Sequence, residues 1–214
     1  MKTRQRSEIM MLKKYSALKI LIIIVCVTQS TMSYAAKNWH EASGLELQQL
    51  PPFCQSWYKA YRGREASPRD MQQFQSWRQR LGGIPDPQHL CPGLYALNYS
   101  YQFSKKSRDR AYALQAATNE LSYVLKYNPK FPIRSTVLLK RGKAFEEWDK
   151  LDKAMADYQE AMHIKPNNTR AYTAVAGIYL KLNNKTEALN IINQGLKIKP
   201  KSKLLLNFKK RIGK

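Results

Sequence analysis

Acidic side chains are scarce in this chain: 15 Asp and Glu stand against 37 Lys and Arg in 214 residues, a formal net charge of +22. From Ala188 to the C-terminus there is none. Histidine is nearly as rare. His40, His89 and His163 lie far apart and no His-Glu-x-x-His occurs, so no metal site is expected. A Gly-rich phosphate loop, a Gly-x-Ser-x-Gly elbow and a Cys-x-x-Cys-His haem attachment are also missing. These absences exclude the common nucleotide hydrolases, zinc peptidases, serine hydrolases and c-type cytochromes. A non-enzymatic protein is expected, with no cofactor, no small-molecule substrate and no nucleic-acid partner. The adjacent acids Glu146 and Glu147 point different ways on a helix and read as a solvated face.

Long apolar runs are missing too. The unbroken one, Ile20 to Val27, falls well short of the roughly 20 apolar residues that span a bilayer. It follows Lys2, Arg4, Arg6, Lys13, Lys14 and Lys19 and precedes the small residues of Ser33-Tyr34-Ala35-Ala36. Residues 1–36 therefore read as a secretory signal peptide, with an uncleaved membrane anchor as the alternative. The chain is expected to be periplasmic or secreted. Its removal would take away six of the basic residues and Glu8, leaving a net charge of +17. Of the three cysteines, Cys54 and Cys91 would remain in a compartment where disulfides persist. A bridge between them closes a loop worth roughly 3–4 kcal/mol; two free buried thiols are the other reading.

What the chain has in abundance is self-similarity. Between Ser135 and Pro200 the pattern recurs at an offset of 34 residues: Gly142 answers Ala176, Phe145 answers Tyr179, Ala154 answers Ala188, Ala161 answers Gly195, and Ile164-Lys165-Pro166 answers Ile198-Lys199-Pro200. Within a unit, Leu138, Phe145 and Trp148 keep helical spacing, a turn carries Asp149 and Asp152, and Met155, Tyr158 and Met162 form a second helical face. The proline closes the unit because it cannot donate to a continuing helix. Small residues stand where a larger side chain would hold two helices apart.

These positions resemble the tetratricopeptide repeat (TPR) family, a helix-turn-helix of this length with small residues at its eighth, twentieth and twenty-seventh places and proline at the thirty-second. Gly195 stands where the family usually has alanine, and Arg141 where it prefers leucine. The resemblance implies an all-α solenoid of helical hairpins, with repeats at 135–168 and 169–200 and a degenerate one at 91–134. In that degenerate repeat Leu94, Leu97, Asn98 and Tyr101, then Ala117, Leu121, Val124 and Pro129, fit the two helices around an insertion near Ser104 to Arg110. Residues 201–214 read as a basic capping helix, with Ser202 as its cap and Leu204, Leu205, Phe208 and Ile212 on one face.

Upstream, residues 37–90 read as a helical cap. One helix is expected from Trp39 to Leu50 and another from Phe53 to Arg62. A third starts at Ser67-Pro68-Arg69-Asp70 and ends at Gly82-Gly83, followed by a loop at Ile84 to Pro87. The order of Cys54, Cys91 and repeats is similar to a group of exported bacterial TPR proteins.

The family presents a concave groove lined by the second, fifth, ninth and twelfth places of each first helix. Carried onto this chain, the rule names Tyr95, Tyr99 and Gln102, then Thr136, Leu139, Lys143 and Glu146, then Arg170, Thr173, Gly177 and Leu180. The groove is expected to bind a protein or peptide partner. The lysine and asparagine places of the family's carboxylate clamp hold Leu139 and Lys143, which argues against capture of a free C-terminus. The second expectation is a polyanion or an anionic membrane surface held by the basic tail, with Lys203, Lys209, Lys210 and Arg211 at its centre.

Overall fold

The structure is a computed structural model and describes residues 42–61 and 67–213. The signal segment, the beginning of the expected cap and Arg62 lie outside these residues. The described chain is helical throughout: α1 Gly44–Gln48, α2 Pro52–Tyr61, α3 Pro68–Arg80, α4 Pro87–Ser100, α5 Arg108–Tyr127, α6 Arg134–Glu147, α7 Leu151–Ile164, α8 Thr169–Lys181, α9 Lys185–Ile198 and α10 Lys203–Ile212.

Local signals explain where these helices begin. Ser43 and Glu46 cap each other reciprocally, the Glu46 amide donating to Ser43 Oγ at 3.3 Å and the Ser43 amide to Glu46 Oε2 at 2.8 Å. That box starts α1 at Gly44, so the helix expected from Trp39 to Leu50 is, within the described residues, a short turn of helix halted before Pro51. Ser67 and Asp70 make the same box at α3, with Pro68 at its first position. The α3 helix ends where Gly82 and Gly83 take φ of 66° and 113°, which a side chain would resist. A Cβ on Gly82 would also stand 2.8 Å from Pro132 Cγ, because this turn packs on the chain leading to α6.

The expected loop at 84–87 ends sooner than its prolines suggest. The amides of His89 and Leu90 donate to the Asp86 carbonyl, both at 2.8 Å, and α4 then runs through Pro92 to Ser100, across the expected boundary at residue 90. Cys54 on α2 and Cys91 on α4 form a disulfide with Cα atoms 5.5 Å apart, both fully buried. The insertion near residues 104–110 is partly absorbed into α5, which at 20 residues is longer than α7 or α9 at 14 each.

From α6 onward the 34-residue rhythm of the sequence is a rhythm of backbone. Asp149 and Asn183, one repeat apart, both take φ of 58°. The amides that follow, Lys150 and Asn184, return to the carbonyls of Phe145 and Tyr179 at 2.9 and 2.8 Å. Each is a left-handed helix end that satisfies an orphan carbonyl. Asn168 and Ser202 likewise cap α8 and α10. The small residues Ala154, Ala161, Ala176 and Ala188 are fully buried, and around them pack Tyr158, Tyr172, Val175, Ile178, Ile192 and Leu205. Leu205 and Ile212 put the apolar face of α10 over the last pair and close its core.

Candidate partner-binding groove

The first helices of the three pairs, α4, α6 and α8, supply the groove positions named by the sequence except Gln102, which lies in the turn just after α4, and the structure treats the three differently. At the α4 end the face is covered. Tyr95 is only 3% exposed, and its ring stacks on Tyr99 at 5.7 Å, which in turn meets the edge of Phe103 at 5.0 Å. Helix α1 lies over them: Gln102 Nε2 donates to Glu46 Oε1 at 3.3 Å, and Asn98 Nδ2 to the Gln49 carbonyl at 3.2 Å. Burial first, and then the charge of Glu46 and a hydrogen bond to it, push the Tyr95 hydroxyl well above its ordinary range. Tyr95 therefore serves an internal contact rather than an open surface, whereas Gln102 bonds to Glu46 and stays exposed.

On α6 the expected solvated acids are a hub. Glu146 accepts from Tyr158 Oη at 2.8 Å, from Lys181 Nζ at 2.7 Å and from Lys143 Nζ at 3.2 Å. Glu147 takes Lys143 at 2.8 Å and the guanidinium of Arg110. Burial alone would raise the Glu146 carboxyl, but the bonds from Lys181 and Tyr158 and the charges of Lys143 and Lys181 hold it below the usual carboxylate range. Neither glutamate is a solvated face; α6 turns them inward between two neighbouring helices, where they meet cations from three directions. Lys143, one of the expected groove residues, spends its charge on both.

Arg110 and Lys181 were not among the expected site residues. Arg110 is buried, and its second bond, to the Ser100 carbonyl at 3.0 Å, ties the insertion between α4 and α5 to α6. An arginine opening a helix after an inserted loop was the available signal.

The rest of the face is open. Thr136 is exposed, Leu139 packs partly against the core, Thr173 donates its hydroxyl to the Arg170 carbonyl at 3.0 Å, and Leu180 is exposed. A Cβ built on Gly177 meets nothing within 4 Å. Arg170 is exposed beside Lys140, a residue outside the four expected places. Packing around the Lys140 ammonium, and then the like charge of Arg170, draw its pKa down.

At the other extreme of the chain, Lys203, Lys209, Lys210 and Arg211 are all exposed on α10, with Arg211 over the Phe208 ring at 4.7 Å. Leu204 and Leu206 remain 43% and 47% exposed among them.

Residues 149–212 match the family of the tetratricopeptide repeat. These residues carry the tetratricopeptide repeat. Two solved structures are similar. The TPR domain of Arabidopsis OM64 is 22% identical over 56% of this chain and 96% of its own, with a TM-score of 0.41. MamA AMB-1 is 16% identical over 81% of this chain and 98% of its own, with a TM-score of 0.45. No curated protein matches the chain.

The two departures from the TPR pattern have structural reasons. Arg141, in the family's leucine place, pairs with Asp157 of the facing helix at 2.6 and 2.9 Å and reaches Ser122 at 3.1 Å. Gly195, in an alanine place, leaves room that a Cβ would contest at 2.9 Å from both Leu205 Cδ1 and Tyr172 Cγ. Lys140 occupies the sixth place of its TPR unit, next to the second place of the following one; reading adjacent units together, rather than four places in each, would have found it.

Proposed function

We propose that this protein is an exported TPR scaffold that holds a segment of a partner protein along α6 and α8. TPR units serve as protein–protein interaction scaffolds, and the extended surface of such a stack is where partners are received. The observation that carries the reading is the contrast within one face. The α4 third is occupied by the chain's own α1, whereas the neighbouring stretch keeps Thr136, Arg170 and Leu180 exposed and has open space over Gly177. Export rests on the signal-like N-terminus and agrees with the buried Cys54–Cys91 disulfide, a bond of oxidising compartments.

Photocrosslinking tests it. A benzophenone amino acid at position 177 should give a discrete protein adduct in the producing cells, and one at the exposed Gln159 of α7 should not. Equal adducts from both positions, or none from 177, would contradict the groove. The N-terminal mass of the same preparation tests export, a start near Lys37 being expected and an intact Met1 contradicting it.

One observation favours a second reading. On α10 the exposed Leu204 and Leu206 are interspersed with Lys203, Lys209, Lys210 and Arg211, the pairing of apolar and cationic groups that suits an anionic membrane surface. Binding of that kind falls steeply with salt, since exposed charges act over only about 10 Å at 0.1 M ionic strength.

A further inference from the structure

The three helical hairpins end alike, away from the groove positions. Their second helices α5, α7 and α9 stop at Tyr127, Ile164 and Ile198, each two residues before a proline, Pro129, Pro166 and Pro200. All three of these last residues stand in water, 57%, 44% and 47% exposed. Exposed lysines flank each one: Lys126 and Lys130, then Lys165, then Lys199 and Lys201.

Direct contacts join the three loops into one edge. Arg134, opening α6, donates to the carbonyls of Leu125 and Asn128 at 2.8 and 3.5 Å, which draws the start of α6 against the end of α5. Asn168, just before α8, reaches Ser135 Oγ at 3.4 Å, so the loop after α7 lies beside the start of α6. Thr169, the next residue, shares a shallow hollow with Ile198, Lys199 and Lys201 after α9. Ser202 lines the same hollow, and Leu204, 43% exposed at the start of α10, continues the row.

The charge of this edge has one sign. Residues 126–134, 163–169 and 197–203 contain no Asp or Glu. The carboxylates that reach it are already engaged, Asp86 accepting from Asn128 at 2.6 Å and Glu160 from Arg134 at 2.8 Å. None of the flanking lysines forms an ion pair among the described residues. At the opposite ends of the hairpins Asp109, Asp149 and Asp152 are exposed, so the want of acids belongs to this edge.

We infer that this edge, from Tyr127 through Ile164 and Ile198 to Leu204, is the surface by which the protein lies against an anionic bilayer. The inference rests on the second reading above for its lipid surface and widens it from the tail to the repeats themselves. Exposed apolar groups interleaved with lysines suit an interface: the side chains of tyrosine, isoleucine and leucine enter among the headgroups while the ammonium groups extend to the phosphates. A soluble polyanion would use the lysines and leave the apolar groups in water. Bound by its edge, the protein keeps the exposed Thr136, Arg170 and Leu180 of α6 and α8 free for a partner.

Vesicle binding tests it. The protein, as its producing cells process it, is cosedimented with vesicles of equal parts phosphatidylglycerol and phosphatidylethanolamine and with phosphatidylcholine vesicles, and is titrated calorimetrically with soluble polyphosphate. Three variants of unchanged helicity and melting are compared: K126Q/K130Q/K165Q/K199Q/K201Q, Y127S/I164S/I198S and the tail variant K209Q/K210Q/R211Q. The unaltered chain should bind the anionic vesicles and not the phosphatidylcholine ones. The edge-lysine variant should weaken by about tenfold or more, and by more than the tail variant. The apolar variant should weaken by about fivefold on anionic vesicles and not at all on polyphosphate. If the triple substitution lowers the melting temperature, I198S alone replaces it, with the same vesicle-only loss expected.

Loss confined to the tail variant would overturn the edge and leave the second reading standing. Undiminished vesicle binding by the apolar variant would overturn it in favour of a soluble polyanion, because charge alone would then carry the affinity. An unaltered chain that binds neither kind of vesicle, or both equally, would remove the edge and the second reading together and leave the groove untouched.

Discussion

Arg141 grips Asp157 with both arms of its guanidinium, Nε at 2.9 Å and Nη2 at 2.6 Å, across the two helices of one repeat. Asp157 is 3% exposed, so the pair replaces part of an apolar helix interface with a satisfied charge pair. Arg141→Ala should therefore destabilise the fold by about 3 kcal/mol, because it leaves a buried carboxylate without its counter-ion. An R141L/D157A double substitution should recover most of that loss. Urea denaturation of the two variants measures the difference; equal losses would show that the pair is not what holds this interface.

Two glycines in neighbouring first helices should respond to alanine with opposite signs. A Cβ on Gly142 would stand 2.6 Å from Tyr158 Cε1, and that ring is fixed by its hydroxyl bond to Glu146. At Gly177 the same Cβ meets nothing. G177A should raise stability by roughly 0.5–1 kcal/mol through helix propensity. G142A should lower it by about 1 kcal/mol or more, overpacking outweighing that gain. Thermal melts of both variants decide the point, and a rise for G142A would mean that the Tyr158 ring gives way freely.

The repeats were legible in the sequence because each unit solves the same packing problem with the same residues. Alanine or glycine appears wherever helices touch, and a left-handed residue at Asp149 and again at Asn183 ends each first helix. Legibility failed where a residue's role depends on another unit. Glu146 looks solvated within its own helix, and only the arrival of Lys181 from the next repeat makes it a hub. Lys143 looks free until Glu147 is turned toward it. Tyr95 fits the groove rule of the family, and a five-residue helix far upstream covers it.

The Glu146 hub makes stability depend on acid. The carboxyl has an ordinary value of 4.5; burial works to raise it, and the bonds from Lys181 and Tyr158 with the charges of Lys143 and Lys181 more than offset that, so its folded value is lowered. A carboxylate depressed by folding contributes stability that is complete above its unfolded pKa and is lost as pH falls through the folded one. Unfolding free energy should therefore decline between about pH 5 and about pH 3, and decline less steeply in Glu146→Gln. Denaturant titrations across that range provide the check; parallel pH profiles for the two proteins would place the acid sensitivity elsewhere.

The central claim is that a partner lies along α6 and α8. Its most direct measurement is the dissociation constant of the protein captured at position 177, determined by titration calorimetry with the unaltered chain, G177W and the K209Q/K210Q/R211Q variant. A Cβ added at Gly177 would meet nothing within 4 Å, so the tryptophan is expected to project over the open face of α8. The account predicts that G177W weakens binding by about tenfold or more at an unchanged melting temperature, with the tail variant close to the unaltered chain. Full affinity in G177W, with loss confined to the tail variant, would contradict it.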